Sequence, residues 1–431
     1  MREYFKDTLA NGLRVITVEM PHLHSAEMVC YVGAGGRHEK EEAAGISHFL
    51  EHMIFRGTAE YPSSLLLEQA FEAIGGAVNA STDVETTCFH SRIHPANLRE
   101  GAALFASMLR RPLLRDLDIE RKIIMEEALE DLNEKGEEIN PDNLTARLLW
   151  PGTSMALPTV GTRESIARID PARLRQHHGT YYTPANIVIA IAGKVRQPDV
   201  LAAMEAELGD WQGALLPPGP PTIPPGPGDG VPEMAWVHDS DSQVAVQLVF
   251  GLPGRRSPHA VPLRVLRRIL SWGGSSRLML NLRERLGLTY HVEANLSLYD
   301  DCGCLSVDLS LNPHNLVAAV GEVLAIFREL CEKIVDREEL GRVVQSYLYD
   351  LDFSRDHPED MAVRFGWGEL VDYLRTLEDD RRNIAAVSPE ALIESARELF
   401  VPEALRAAVV GPWRKKDRAA VEKLLASFRR D

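Results

Sequence analysis

Nowhere in this 431-residue chain does an apolar run reach the ~20 residues a membrane-crossing helix requires, which excludes a helical span. Cysteine is scarce. The five residues, Cys30, Cys88, Cys302, Cys304 and Cys331, are odd in number and form no C-x-x-C pair, so no disulfide framework is expected. Cys302 and Cys304 alternate along what reads as a strand and are expected to pack on one side of it. A reducing, cytoplasmic setting follows. Positive charge is in deficit: 47 basic residues against 63 acidic leave a net charge of −16. Nucleic acid is thereby excluded as a partner, because phosphate contacts need clustered Lys and Arg. An acidic surface also steers basic peptides towards itself, a weak pointer to substrate.

Against these absences stands the segment Gly45–Thr58, GISHFLEHMIFRGT. Ile46, Phe49, Leu50, Met53 and Ile54 recur at the spacing of a core-facing helical stripe. His48, Glu51 and His52, an H-x-x-E-H pattern, fall on the opposite face. Residues four apart stand one turn above each other, so both imidazoles can grip one ion with Glu51 beside it. Metal-assisted hydrolysis is the chemistry such a set performs. An open catalytic site needs a third protein ligand.

The stretch Glu120–Glu127, ERKIIMEE, supplies candidates. Glu120 and Glu127 are two helical turns apart on one face, roughly 10 Å along the axis. Ile123 and Ile124 flank them, and a carboxylate among isoleucines is costly to desolvate unless something positive meets it. Glu126 points away, and Glu130, Glu134, Glu137 and Glu138 read as a solvated acidic run.

Together these blocks make the chain resemble the pitrilysin and mitochondrial-processing-peptidase family of inverzincin metallopeptidases, in its short bacterial form. Further likenesses are TLANGLRV at Thr8–Val15, GAGGRHE at Gly33–Glu39, LPTVGT at Leu157–Thr162 and YYTPAN at Tyr181–Asn186. The resemblance implies a Zn2+ cofactor held by His48, His52 and Glu127, with Glu51 as general base. It implies that Glu120 sits behind the ligands and orients His48 or His52 through a ring N–H. The likeness starts within ten residues of Met1, so no targeting leader is expected.

At this length the chain should divide into at least two domains. A Pro/Gly-rich stretch over 213–232 splits it almost evenly, giving an expected catalytic domain at 1–212 and a second domain at 233–431. The halves echo each other: YVGAGGR at Tyr31–Arg37 resembles VFGLPGR at Val249–Arg255. With Val32 set against Phe250, His48 falls on Leu266 and His52 on Leu270, so the second copy lacks the imidazoles. Each half reads as α+β, an antiparallel-rich sheet packed with helices on one face. Asn11-Gly12 turns between two strands, Ile187–Ala192 is another strand, and helices are expected near 66–74, 98–109 and 317–334.

Two constellations bear on substrate. Small residues along Gly75–Thr82 suit an edge strand that accepts a peptide, and the resemblance makes Asn79 and Ala80 the substrate-binding pair. Arg283 and Tyr290 match a pair that, in the family, binds substrate backbone and steadies the oxyanion; Arg285 is an alternative to Arg283. Longer relatives form a four-domain clamshell, so this chain resembles half of one. The expected assembly is a homodimer in which Arg283 and Tyr290 act in trans, a heterodimer being the variant form. The expected function is a zinc endopeptidase cutting peptides or unfolded segments in a closed chamber. The alternatives are a non-catalytic, substrate-holding subunit or a dedicated precursor-peptide maturase.

Overall fold

The computed structural model describes residues 2–213, 216–217, 219–223 and 234–428. The expected linker at 213–232 therefore lies largely outside the described residues. Among those described, no helix is long and apolar enough to cross a membrane.

The first unit is built on strands β1 (Phe5–Thr8), β2 (Arg14–Glu19), β3 (Ala26–Val32), β4 (Val78–Thr82), β5 (Thr87–Ile93) and β6 (Ile187–Gly193). Their order is β1-β2-β6-β3-β5-β4. Pairing is antiparallel throughout except where β2 lies parallel to β6. β4 is therefore an edge strand. The Asn11-Gly12 turn joins β1 to β2, with Gly12 at a positive φ that an L side chain rarely adopts.

The second unit repeats this plan. Strands β7 (Met234–Val237), β8 (Val244–Pro253), β9 (Thr289–Leu298), β10 (Cys302–Leu311) and β11 (Leu405–Val410) run in the order β7-β11-β8-β10-β9, with β7–β11 the parallel pair. Helices follow the same register. With Val32 set against Phe250, the helix Pro171–Tyr181 matches Pro389–Leu399, and Leu98–Arg110 matches the start of Leu316–Glu332. Cys302 and Cys304 sit on β10 as free thiols.

The division into units departs from the linear boundaries. Unit 1 comprises Met1–Ala128, Leu157–Pro221 and Asp350–Asp379; unit 2 comprises Leu129–Ala156, Thr222–Tyr349 and Asp380–Asp431. Each repeat thus gives one helix to the other repeat's sheet. Pro358–Leu370, from the second half, packs on β6, β3 and β2 of the first sheet. Gly366 makes this possible, because a Cβ there would press on Ala190 and Tyr31. Glu369 at the end of that helix takes Lys6 Nζ at 2.8 Å. Reciprocally, Pro141–Leu149 packs on β8 and β11 of the second sheet, where Thr145 and Asp142 bond Gln247.

This exchange also corrects the expectation of helices on one face only. Alternation along a strand sends Met28, Cys30 and Val32 into the main helical core, while Tyr31 meets the lent helix on the other face. Both faces are covered because a sheet left apolar on either side would expose it to water.

Candidate metal centre

The motif segment forms the helix Ile46–Ile54, and its apolar stripe is fully or nearly fully buried. Gly45 starts it at a positive φ, pressed against Val160 and Gly161, where a Cβ would collide with the Val160 carbonyl. Since glycine offers no capping side chain, Glu39 does the capping from outside. Its carboxylate accepts from Gly45 N at 2.6 Å and Ser47 N at 2.7 Å, satisfying two of the first-turn donors. Burial nonetheless pushes the Glu39 carboxyl up to about 7, against those bonds. Behind the helix, Ser47 Oγ meets His177 Nε2 at 3.1 Å.

The acidic stretch forms the helix Leu117–Glu130. Ile124 is buried while Ile123 is exposed, so only one of the two isoleucines walls the carboxylates. His48 Nε2 lies 3.4 Å from Glu127 Oε1, and His52 Nε2 lies 3.7 Å from Glu127 Oε2. One ligand atom from each of these three residues lies within 4.8 Å of the others. Zinc bound tetrahedrally at ~2.0–2.1 Å would hold its donors about 3.4 Å apart, so this spacing fits such an ion. Burial, and then the neighbouring His52, push the His48 imidazole down to about 4, which keeps its lone pair free of a proton at neutral pH.

Glu120 settles between the two expected alternatives. Its Oε2 accepts from His52 Nδ1 at 3.1 Å, leaving His52 Nε2 turned to Glu127. That bond is the main cause raising the His52 pKa. Such a carboxylate fixes both the tautomer and the tilt of a ligand ring.

Glu51 is buried on the same helix, and burial raises its pKa above the usual carboxylate value. Thr82 Oγ1 donates to Glu51 Oε2 at 2.6 Å. Thr82 ends β4, the strand that carries exposed Asn79 and half-buried Ala80. The edge strand and the carboxylate are therefore joined by one hydrogen bond. Sequence reasoning passed over Thr82, Glu39 and Arg56. Only Arg56 left a readable signal, four residues after His52 and so on the same helical face.

In the second unit, Arg283 lies in a π-helical turn, Met279–Arg285, and Tyr290 lies on β9. The Arg283 guanidinium carbon stands 5.0 Å from the centre of the Tyr290 ring, which is 80% exposed. Arg285 instead bonds Asn281 Oδ1 at 3.0 Å. Of the two arginines, Arg283 is thus the one stacked on the tyrosine.

Residues 14–163 match the family model described as Insulinase (Peptidase family M16), and residues 168–347 match the one described as Peptidase M16 inactive domain. A Mycobacterium tuberculosis protein named "Uncharacterized zinc protease" is 31% identical over 415 residues, covering 95% of this chain and 94% of its own. The chain belongs to the M16 peptidase family. A protease from Helicobacter pylori has the same fold, with a TM-score of 0.85 at 21% identity over 95% of this chain and 99% of that one. The periplasmic protease PqqL from Escherichia coli matches all of this chain with 50% of its own, at a TM-score of 0.78 and 18% identity.

Proposed function

We propose that the protein is a zinc endopeptidase that hydrolyses peptides or unfolded polypeptide segments. The observation that carries this reading is the convergence of His48, His52 and Glu127 around one point, with buried Glu51 on the same helix. The name zinc protease borne by the mycobacterial relative supports the choice of metal. Zinc held there would lower the pKa of a bound water from about 15.7 towards neutrality and polarise the scissile carbonyl.

The chain's own groups do the rest. Glu51 takes the proton of the attacking water, and its raised pKa brings it nearer the operating pH of a general base. It then returns that proton to the leaving amine. Thr82 holds the carboxylate in place meanwhile. An extended peptide pairs with the open edge of β4 beside Asn79 and Ala80, its main-chain groups completing the ladder. The intact donor set speaks against a purely substrate-holding role.

Zinc content and cleavage of a quenched peptide test the reading. Glu51→Gln should keep the metal and lose activity by about 10²–10⁴-fold. Zinc-free wild-type protein after metal-replete purification, or full activity in Glu51→Gln, would refute it.

The assembly we propose is a homodimer in which each zinc site receives Arg283 and Tyr290 from the partner, as positive charge and phenolic donor for the oxyanion. The match of the whole chain to half of PqqL supports two copies making one enzyme. Mixing inactive Glu51→Gln with inactive Arg283→Ala protein should then restore hydrolysis, since one site of the mixed dimer is complete. No recovery on mixing means the pair does not act in trans.

A further inference from the structure

Arg56 lies just beyond the motif helix, four residues after His52. Its Nε stands 2.6 Å from Glu120 Oε1, while Glu120 Oε2 takes His52 Nδ1. The Glu120 side chain is 8% exposed and that of Arg56 is 19% exposed, with Nε and Nη2 shut off from solvent and making no hydrogen bond among the described residues, so the pairing is one of charge. A charge so withdrawn from water persists only when a counter-charge meets it. Glu120 provides that counter-charge and is itself held by both oxygens.

The geometry matters for the ring behind it. A carboxylate anchored through one oxygen can swing about its last torsion, which has a broad and shallow preference. With Oε1 drawn to the guanidinium charge, Oε2 is left facing His52 Nδ1. The proton then stays on Nδ1, and the Nε2 lone pair stays turned to the point shared with His48 and Glu127. Resting on the zinc reading above, we infer that Arg56 is a positioning residue for the metal centre, acting on His52 through Glu120.

Zinc affinity, measured by competition with a chromophoric chelator, tests this without reference to turnover. Losing an outer partner of a ligating histidine typically costs 10–100-fold in metal affinity. Arg56→Met and Arg56→Gln should therefore each bind zinc about 10-fold or more weakly, and Arg56→Lys should recover part of the loss. Because Arg56 acts through Glu120, adding Arg56→Gln to Glu120→Gln should cost little beyond Glu120→Gln alone. Melting of the metal-free proteins monitors folding, and Arg56→Gln serves if Arg56→Met does not fold.

Wild-type affinity in both neutral variants would overturn the inference, as would a loss that adds in full to that of Glu120→Gln. The two readings fail differently: wild-type protein that binds no zinc sinks the proposed function, whereas unchanged variants of a zinc-binding wild type sink only the role of Arg56.

Discussion

The two repeats share a strand order and a helix register, and differ most where the first carries its chemistry. With Val32 set against Phe250, the helix Ala260–Ser271 stands where the motif helix stands, and Arg337–Phe353 stands for the acidic helix. Leu266 and Leu270 replace the imidazoles and are fully buried; Ile269 replaces Glu51 and Gln345 replaces Glu127. A cavity of about 440 Å³ remains there, lined by Ile269, Trp272, Val343 and Gln345 among others, with no metal-donor set among the described residues. The family model for an inactive domain, matched over 168–347, takes in the helix Ala260–Ser271 and most of its cleft together with the end of the first half.

The edge strands differ as well. On β9, the Ala294 amide and carbonyl are both taken by the neighbouring helix, through Ser271 Oγ and Arg267 Nε. The edge of β9 is closed at that residue. The comparison teaches that the scaffold does not need the site. A repeat that replaces the two imidazoles and Glu51 with apolar residues adds them to its core, while the first repeat keeps buried polar groups that burial disfavours.

The sharpest way to break the comparison is to treat matching positions alike. Glu127→Ala should release the bound zinc and abolish hydrolysis, whereas Gln345→Ala should leave one zinc per chain and full activity, as read by elemental analysis and peptide cleavage. A zinc loss in Gln345→Ala would show that the second cleft takes part in the metal chemistry.

Acid should sharpen the contrast by a smaller amount. Burial pushes the His177 imidazole down to about 3, whereas the matching position in the second unit is Ser395, bonded to His259 Nδ1 at 3.0 Å. A histidine in the unfolded chain titrates near 6.5. With the folded value depressed, the stabilisation is complete above about 6.5 and is lost as pH falls through about 3. The difference is on the order of 5 kcal/mol. Amides of the first unit should therefore exchange faster than those of the second as metal-free protein is acidified from neutrality. His177→Gln should reduce that response and leave the part due to His48, whose imidazole burial also pushes down to about 4. Equal acid sensitivity of the two units would contradict this account.

How much of this was legible beforehand follows from how local each signal is. The motif helix announced itself through its 3.6-residue period, and a two-turn spacing offered Glu120 and Glu127 as candidates; the choice of Glu127 came from the family resemblance. Whether Glu120 serves His48 or His52 depends on the packing of two helices, which spacing along one of them does not encode. Thr82 and Glu39 were illegible for the same reason: each reaches the motif helix from a separate loop or strand, and Thr and Glu are ordinary there. The doubling of the fold was visible in the paired GAGGR and GLPGR segments. The helix exchange was not. The apolar spacing in Pro141–Leu149 says that it buries a face, and nothing in it says which sheet receives that face.

That exchange has a consequence for how the molecule comes into being. During synthesis on the ribosome, the first sheet is complete once β6 has emerged, yet one of its sides stays bare until Pro358–Leu370 is made. More than a hundred and fifty residues separate the two events on the growing polypeptide. Severing the chain at the proline-rich midpoint would leave each fragment carrying its sibling's lid, so the pieces would have to be produced together to become native.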